Sequence, residues 1–266
     1  MQLEGRQVLL TGASGGIGQA IARALHARGA QLLVSGRRAD ALEGLVAALG
    51  SRAESMPADL ASTEGARALA ERAGDVDILV ANAALPGSGW LDSFSPEEID
   101  ATIDVNLRAP VQLARALMPA MVERGSGHLV FVSSMSGKVA NAGGSVYSAT
   151  KFGMRGFATA LRDELHGRGV GVTTVFPGFV SDAGMFAETG MKLPFGVSTR
   201  SPEQVAQAVV SGIEGDRAEV DVAPLFMRTS AWLAGISPSA VSAMARKLGG
   251  HEVARELGEK QKPKRV

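Results

Sequence analysis

The sequence predicts an α/β fold: a doubly wound parallel sheet of about seven strands, in one domain with a short helical extension at its C-terminal end. Three observations predict it. Short apolar runs alternate with longer helical patterns along most of the chain. A glycine cluster sits where the first run meets the first helix. No linker-like composition interrupts the alternation before residue 220.

The runs at residues 7–11, 31–35, 52–56, 77–81, 128–133, 170–176 and 219–222 read as buried strands, rich in Val, Ile and Leu. Between them, residues 16–28, 39–49, 63–72, 96–123, 145–166 and 202–213 carry apolar positions at helical spacing. Strand, helix, strand at this spacing gives right-handed crossovers and a sheet covered on both faces. Residues 1–223 are expected to form the catalytic domain and 224–266 a helical extension with a basic tail. In the extension, 224–232 and 238–248 read as short amphipathic helices separated by Ser237-Pro238. Residues 245–266 hold seven basic and three acidic side chains, and a solvated, frayed tail is the expectation.

Composition narrows the function. Apolar residues are 45% and charged residues 20% of the 266, the balance of a globular protein rather than a disordered one. A formal net charge of zero argues against coating nucleic acid or acidic lipid. With no cysteine there is no disulfide, no thiolate chemistry and no Cys-ligated zinc. His26, His128, His166 and His251 are scattered over separate elements, so no metal is expected. No apolar run reaches the roughly 18 residues of a membrane helix, and the first residues lack a signal pattern. A cytoplasmic enzyme is expected.

The cluster Thr11-Gly12-Ala13-Ser14-Gly15-Gly16-Ile17-Gly18 follows the first strand and opens the first helix. Glycine there lets the backbone turn sharply and approach a pyrophosphate, whose charge suits the free N–H groups of a helix N-terminus. The spacing is neither that of an NTPase phosphate loop nor G-x-G-x-x-G. Further on, Tyr147 and Lys151 lie four apart on a predicted helix and share a face. An ammonium beside a phenol favours its ionised form, lowering its pKa and fitting it for proton exchange with a carbonyl oxygen. Tyr147 is the single tyrosine of the chain.

With Asp59-Leu60, Asn82-Ala83-Ala84, Asn106, Ser133-Ser134 and Pro177-Gly178 in order between and beyond these motifs, the chain resembles the short-chain dehydrogenase/reductase family over residues 5–222. The resemblance implies a Rossmann fold and a hydride-transfer oxidoreductase. It implies that Ser134 bonds the substrate oxygen and that Tyr147 is the general acid/base. Lys151 would tune the tyrosine and hold nicotinamide ribose hydroxyls, and Asn106 would fix a water in a proton relay. Ser133 is expected to satisfy local backbone groups. By the same resemblance, Gly12, Ser14, Gly15, Gly16, Ile17, Gly18, Asn82, Ala83, Pro177, Gly178 and Val180 line the cofactor, with Tyr147 and Lys151. Asp59 would accept from the adenine amino group, with Leu60 beside the ring, although Asp59 also suits the N-cap of the following helix.

The second strand ends Ser35-Gly36-Arg37-Arg38. Gly36 removes the carboxylate that NAD-preferring enzymes use, and Arg37, with Arg38 beside it, supplies a fork for a 2′-phosphate. NADP(H) is therefore favoured over NAD(H), although the glycine loop has no basic residue and Ser14 sits there. Two departures are visible. The family's Asn-Asn-Ala-Gly reads Ala81-Asn82-Ala83-Ala84, and Asp182, preceded by Ser181, replaces a threonine that contacts the nicotinamide.

Residues 179–195 occupy the place of a substrate lid and contain Met185, Phe186, Met191, Leu193 and Phe195; Leu85, Met135, Val139 and Ala142 would join the wall. The leading expectation is a carbonyl reductase or alcohol dehydrogenase acting on an apolar ketone or alcohol. A 3-oxoacyl-thioester reductase is the alternative, with Arg108, Arg115, Arg155 and Arg162 as a docking patch for an acidic carrier. A non-catalytic nucleotide sensor is a third reading, disfavoured by the presence of both Tyr147 and Lys151. The outer faces of the helices at 96–123 and 145–166 are expected to pair into a homodimer or homotetramer.

Overall fold

The computed structural model describes residues 1–191, 198–247 and 249–265. Its seven strands are β1 (Gln7–Leu10), β2 (Gln31–Gly36), β3 (Ala53–Pro57), β4 (Ile78–Ala81), β5 (Gly127–Val132), β6 (Val170–Pro177) and β7 (Glu219–Val222). All pair in parallel, in the order β3-β2-β1-β4-β5-β6-β7. The chain winds outward from β1 to β3, then returns to lay β4 on the other side of β1. That reversal opens a crevice at the carboxyl ends of β1 and β4, where an open α/β sheet binds its ligand.

Period-two alternation sends side chains of every central strand to both faces. Val8, Leu10, Ile78, Val80, Val130 and Val132 join the core under α1 (Gly16–His26), α2 (Ala39–Leu49) and α7 (Pro202–Glu214). Leu9, Leu79, Leu129 and Phe131 pack beneath α3 (Thr63–Ala73), α5 (Ala109–Glu123) and α6 (Ser145–Glu164). The outer strands depart from the expectation of burial: in β3 only Met56 is buried, and in β7 only Val222. Each lies at a sheet edge with one neighbour, so water reaches it.

The helix expected over 96–123 is three pieces. α4 (Pro96–Ile103) starts from a capping box on Ser95 and Glu98, a π-helical turn follows over Asp104–Arg108, and α5 completes the run. Pro110 explains the break. It has no N–H to offer the carbonyl four residues back, which belongs to Asn106, and its ring crowds that carbonyl.

The C-terminal extension differs most from expectation. α8 (Leu225–Ile236) and α9 (Pro238–Lys247) correspond to the two short helices. The stretch expected to be a frayed tail instead forms α10 (Gly250–Gln261), and Arg265 beyond it is buried. Leu193, Phe195 and Leu248 lie outside the described residues. No helix among the described residues is long and apolar enough to cross a membrane.

Candidate active site

The glycine-rich turn is shaped by what crowds it. Gly12 has φ +68°, and a Cβ there would lie 2.7 Å from the Ala83 Cα, so no other residue fits so close to the end of β4. A Cβ on Gly18 would meet the Gly12 carbonyl at 2.2 Å, and one on Gly16 would meet the Ala183 side chain at 2.3 Å. Asn82 and Thr11 clamp the turn. The Asn82 amide donates to the Thr11 and Gly12 carbonyls at 3.1 and 3.2 Å, while the Thr11 hydroxyl accepts from the Asn82 and Ala83 backbones, each at 3.1 Å. α1 is preceded at its N-cap by Gly15, so it has no side-chain cap, and it has no acidic residue in its first turn. Its first N–H groups are thus available to an anion, and the residues present fit a nucleotide pyrophosphate.

Beside this turn, Gly36 leaves room for Ser14, whose hydroxyl would be 2.8 Å from a Cβ at position 36. Arg38 donates to the Ser14 carbonyl at 2.6 Å, which holds the second strand's end to the loop, and Arg37 is exposed. Asp59 is also exposed and accepts from the Ala61 N–H at 3.1 Å. It is not the N-cap of α3. Ser62 takes that place, accepting from Gly65 at 2.9 Å. Leu60 is buried against the core under α3.

The reactive groups gather at the carboxyl end of β5. Ser134 is in extended backbone just past the strand, and its hydroxyl accepts from the Ser136 N–H at 3.1 Å and bonds the Tyr147 phenol. Ser133 donates to the Lys151 carbonyl at 3.2 Å, a local structural bond as expected. Gly137 permits this contact between turn and helix, since a Cβ on it would meet the Lys151 carbonyl at 2.6 Å. Tyr147 is half-buried on α6, one turn before Lys151, which is only 2% exposed. The Lys151 ammonium donates to the Val132 carbonyl at 3.2 Å and stands 5.5 Å from the centre of the Tyr147 ring.

Burial opposes the lowering of the tyrosine pKa expected from Lys151. Burial dominates: it pushes the Tyr147 phenol up to about 12 against the opposing bond from Ser134, and pushes Lys151 down to about 8. At neutral pH the phenol therefore holds its proton and the lysine is mostly charged.

Asn106 anchors the loop after β4 with its side chain. Its side-chain oxygen accepts from the Leu85 N–H at 2.6 Å and its amide donates to the Leu85 carbonyl at 2.9 Å. Both groups hold the loop after β4, while the Asn106 carbonyl receives no N–H from Pro110. That loop carries Gly87, where a Cβ would lie 3.0 Å from the Tyr147 Cβ. On the far side, Gly178 follows Pro177 and its N–H donates to the Val222 carbonyl, while buried Val180 bridges Arg200. Asp182 adopts φ +63°, and the Ser181 hydroxyl donates to the Arg200 carbonyl at 3.4 Å. Leu85 and Met135 are buried, Val139 is half-buried, and Ala142 is exposed rather than part of a wall. Phe179 and Phe186 pack at 4.8 Å. Among the described residues no group of three or more His, Cys, Asp or Glu is placed to hold a metal.

Sequence reasoning missed α10 and Arg265. Their only signal is a helical stripe, Ala254, Gly258, Gln261 and Arg265, whose members are too small or too polar to register as a core face.

An open glycine-rich turn at the sheet's reversal, with a tyrosine and a lysine one helical turn apart beside it, defines a nucleotide-dependent oxidoreductase. The chain belongs to the short-chain dehydrogenase/reductase family: a family model described as short chain dehydrogenase matches residues 6–193. It is 39% identical over 227 residues to a protein named ketoacyl reductase HetN from Nostoc sp., covering 83% of this chain and 79% of that one. A short-chain dehydrogenase from Streptomyces avermitilis superposes with TM-score 0.78 at 29% identity, covering 93% of this chain and 98% of the other. A short-chain dehydrogenase from Sphingobium yanoikuyae, solved in complex with NADPH, gives TM-score 0.77 at 28% identity, covering 86% and 93%.

Proposed function

We propose that this oxidoreductase interconverts an apolar ketone and its secondary alcohol with NADP(H), using Tyr147 as general acid/base. The observation that carries this reading is the constellation of Ser134, Tyr147 and Lys151, with the phenol protonated and the ammonium under its ring. When bound, the nicotinamide nucleotide supplies or accepts the hydride. Gly12, Ser14, Gly15, Gly16, Ile17 and Gly18 would hold its pyrophosphate, Asp59 and Leu60 its adenine, and Asn82, Ala83, Pro177, Gly178 and Val180 its nicotinamide side. In reduction, the Ser134 hydroxyl orients the substrate oxygen and Tyr147 gives that oxygen its proton. The Lys151 charge then stabilises the phenolate left behind. In oxidation the phenolate takes the proton back.

NADP(H) is supported by the missing side chain at Gly36, by the exposed Arg37 beside the glycine turn, and by the NADPH-bound relative. The name of the Nostoc relative supports the thioester alternative. Against it, Arg155 bonds Glu219 at 2.7 Å, Arg162 bonds Asp216 at 2.9 Å and Arg108 pairs with Asp104, so three of the four arginines of that docking patch are already paired. A non-catalytic sensor would have no use for the tyrosine–lysine pair. Phe152 on α6 is 41% exposed, an apolar side chain that a second copy of the chain would cover, and we propose a homodimer or homotetramer in the cytoplasm. The deciding test is a panel of ketones and alcohols followed at the nicotinamide absorbance with NADPH and with NADH. Turnover of apolar ketones with NADPH supports the reading; turnover only of carrier-borne thioesters, or only with NADH, overturns it.

A further inference from the structure

α10 packs one face on the loops at the carboxyl edge of the sheet. Ala254, Gly258, Gln261 and Arg265 recur every three or four residues, so they form one stripe along the helix and its last turn. Together they meet three loops at the carboxyl edge of the sheet, Gly258 and Arg265 sharing the one after β4. Ala254 lies against Gly143, just before the helix that bears Tyr147. Gly258 presses on the loop after β4: a Cβ there would be 2.7 Å from the Gly89 Cα. The Gln261 amide donates to the Met185 carbonyl at 3.3 Å, in the segment after β6. The loops after β4 and β5 are themselves joined, with Gly89 N–H donating to the Gly143 carbonyl at 2.7 Å.

Arg265 fastens the end of this segment. Its guanidinium, 1% exposed, donates to the carbonyls of Ser88 at 2.8 Å, Ser93 at 3.1 Å and Gly258 at 3.5 Å. It stacks 3.7 Å over Phe94 and sits 3.8 Å from the Glu98 carboxylate. Glu98 is the residue that closes the capping box of α4. A buried guanidinium held by several carbonyls, an aromatic face and a carboxylate is a built contact, because burying that charge without partners is costly. The fit also needs Gly89, whose Cβ would lie 1.9 Å from the guanidinium.

We propose that residues 250–265 are a fixed roof on the substrate cleft, latched by Arg265, which restricts the enzyme to compact carbonyl substrates and shuts out an acyl group tethered to a carrier. This rests on the reading of the cleft as a carbonyl-reducing site. Arg265 acts here as a positioning residue: it holds the loop bearing Gly87, which packs on Tyr147, without touching substrate.

The test uses the full chain and two variants that disturb the roof by different means. Arg265→Ala removes the latch. Gly258→Leu improves helix propensity while forcing α10 away from Gly89, so it separates lifting of the roof from melting of the helix. Wild type and variants are assayed on ketones graded in bulk, and on one 3-oxoacyl group carried by a small thiol or by acyl carrier protein. The expected result is a rise of about tenfold in the ratio of kcat/KM for bulky over small substrates, carried by KM, in both variants. NADPH affinity should stay unchanged, and Arg265→Lys should restore part of the wild-type profile. An unchanged ratio in both variants, or a wild type that reduces the carrier-borne thioester as readily as the small one, overturns the roof. Amide exchange in residues 86–94 and 139–144 gives a reading without turnover: it should quicken in both variants, and unchanged protection overturns the latch. A wild type that reduces no carbonyl compound with either nucleotide sinks the proposed function instead, and leaves the exchange result to judge the roof.

Discussion

Replacing Lys151 by methionine keeps an apolar stem of similar reach and removes the ammonium beneath Tyr147. That ammonium lies 5.5 Å from the ring centre. At an effective dielectric of about 20, a unit charge at that distance stabilises a developing phenolate by about 3 kcal/mol. If the charge develops fully in the transition state, this is roughly a hundredfold in rate. The measurement is kcat for ketone reduction at saturating NADPH, taken as a function of pH. Lys151 is pushed down to about 8 by burial, so its charge is present below that pH and lost above it. The wild-type reduction rate should therefore decline as pH rises through about 8, and the Lys151→Met variant should be slow with no such decline. A variant within about threefold of wild type at neutral pH, or a wild-type profile flat between about pH 7 and 9, would refute the electrostatic role.

Tyr147→Phe should lower kcat by about 10²–10⁴-fold while leaving NADPH binding, followed by its fluorescence, nearly intact; retained turnover would remove Tyr147 from the mechanism. Arg37→Ala should raise the NADPH dissociation constant by about tenfold or more, the value of a charge-assisted bond, and hardly touch that for NADH. Equal weakening of both would make Arg37 a surface residue. His128 is buried, its pKa pushed down to about 4, and its ring bonds the Thr173 hydroxyl at 2.8 Å. Because the unfolded chain takes up a proton near pH 6.5 and the folded chain does not, stability should fall by about 3 kcal/mol as pH drops from about 6.5 to 4. Urea unfolding should show this loss in wild type and a shallower one in His128→Asn; equal slopes would place the acid sensitivity elsewhere.

The sheet was legible because its central strands are buried on both faces and their Val, Ile and Leu runs stand out against the helices. Gly12 and Tyr147 with Lys151 were legible because turn geometry and helical spacing tie local sequence directly to placement. The break at Asn106 follows from one residue, Pro110, but a proline near a helix start also suits an uninterrupted first turn, so periodicity passes over it. The N-cap at Ser62 rather than Asp59 is a choice between two good caps three residues apart, decided by where the chain leaves β3. α10 was hidden for a different reason. Its inner face is glycine, alanine, glutamine and arginine, residues that bury by backbone proximity and hydrogen bonding, and a hydrophobic pattern carries no trace of such contacts. The upward push on Tyr147 was likewise beyond local reading, since it comes from burial, which acts against the neighbouring charge.

The lone tyrosine has an optical consequence. A phenol and its phenolate differ in near-ultraviolet absorption, and in most enzymes a catalytic tyrosine is lost among the others. Here Tyr147 has no companion in the 266 residues, so an absorbance titration of the folded chain follows the proton of one identified side chain. The group proposed to carry the chemistry is also the only phenol that a nitrating or iodinating reagent can colour, and the chain thus bears its own indicator dye at the bottom of the cleft.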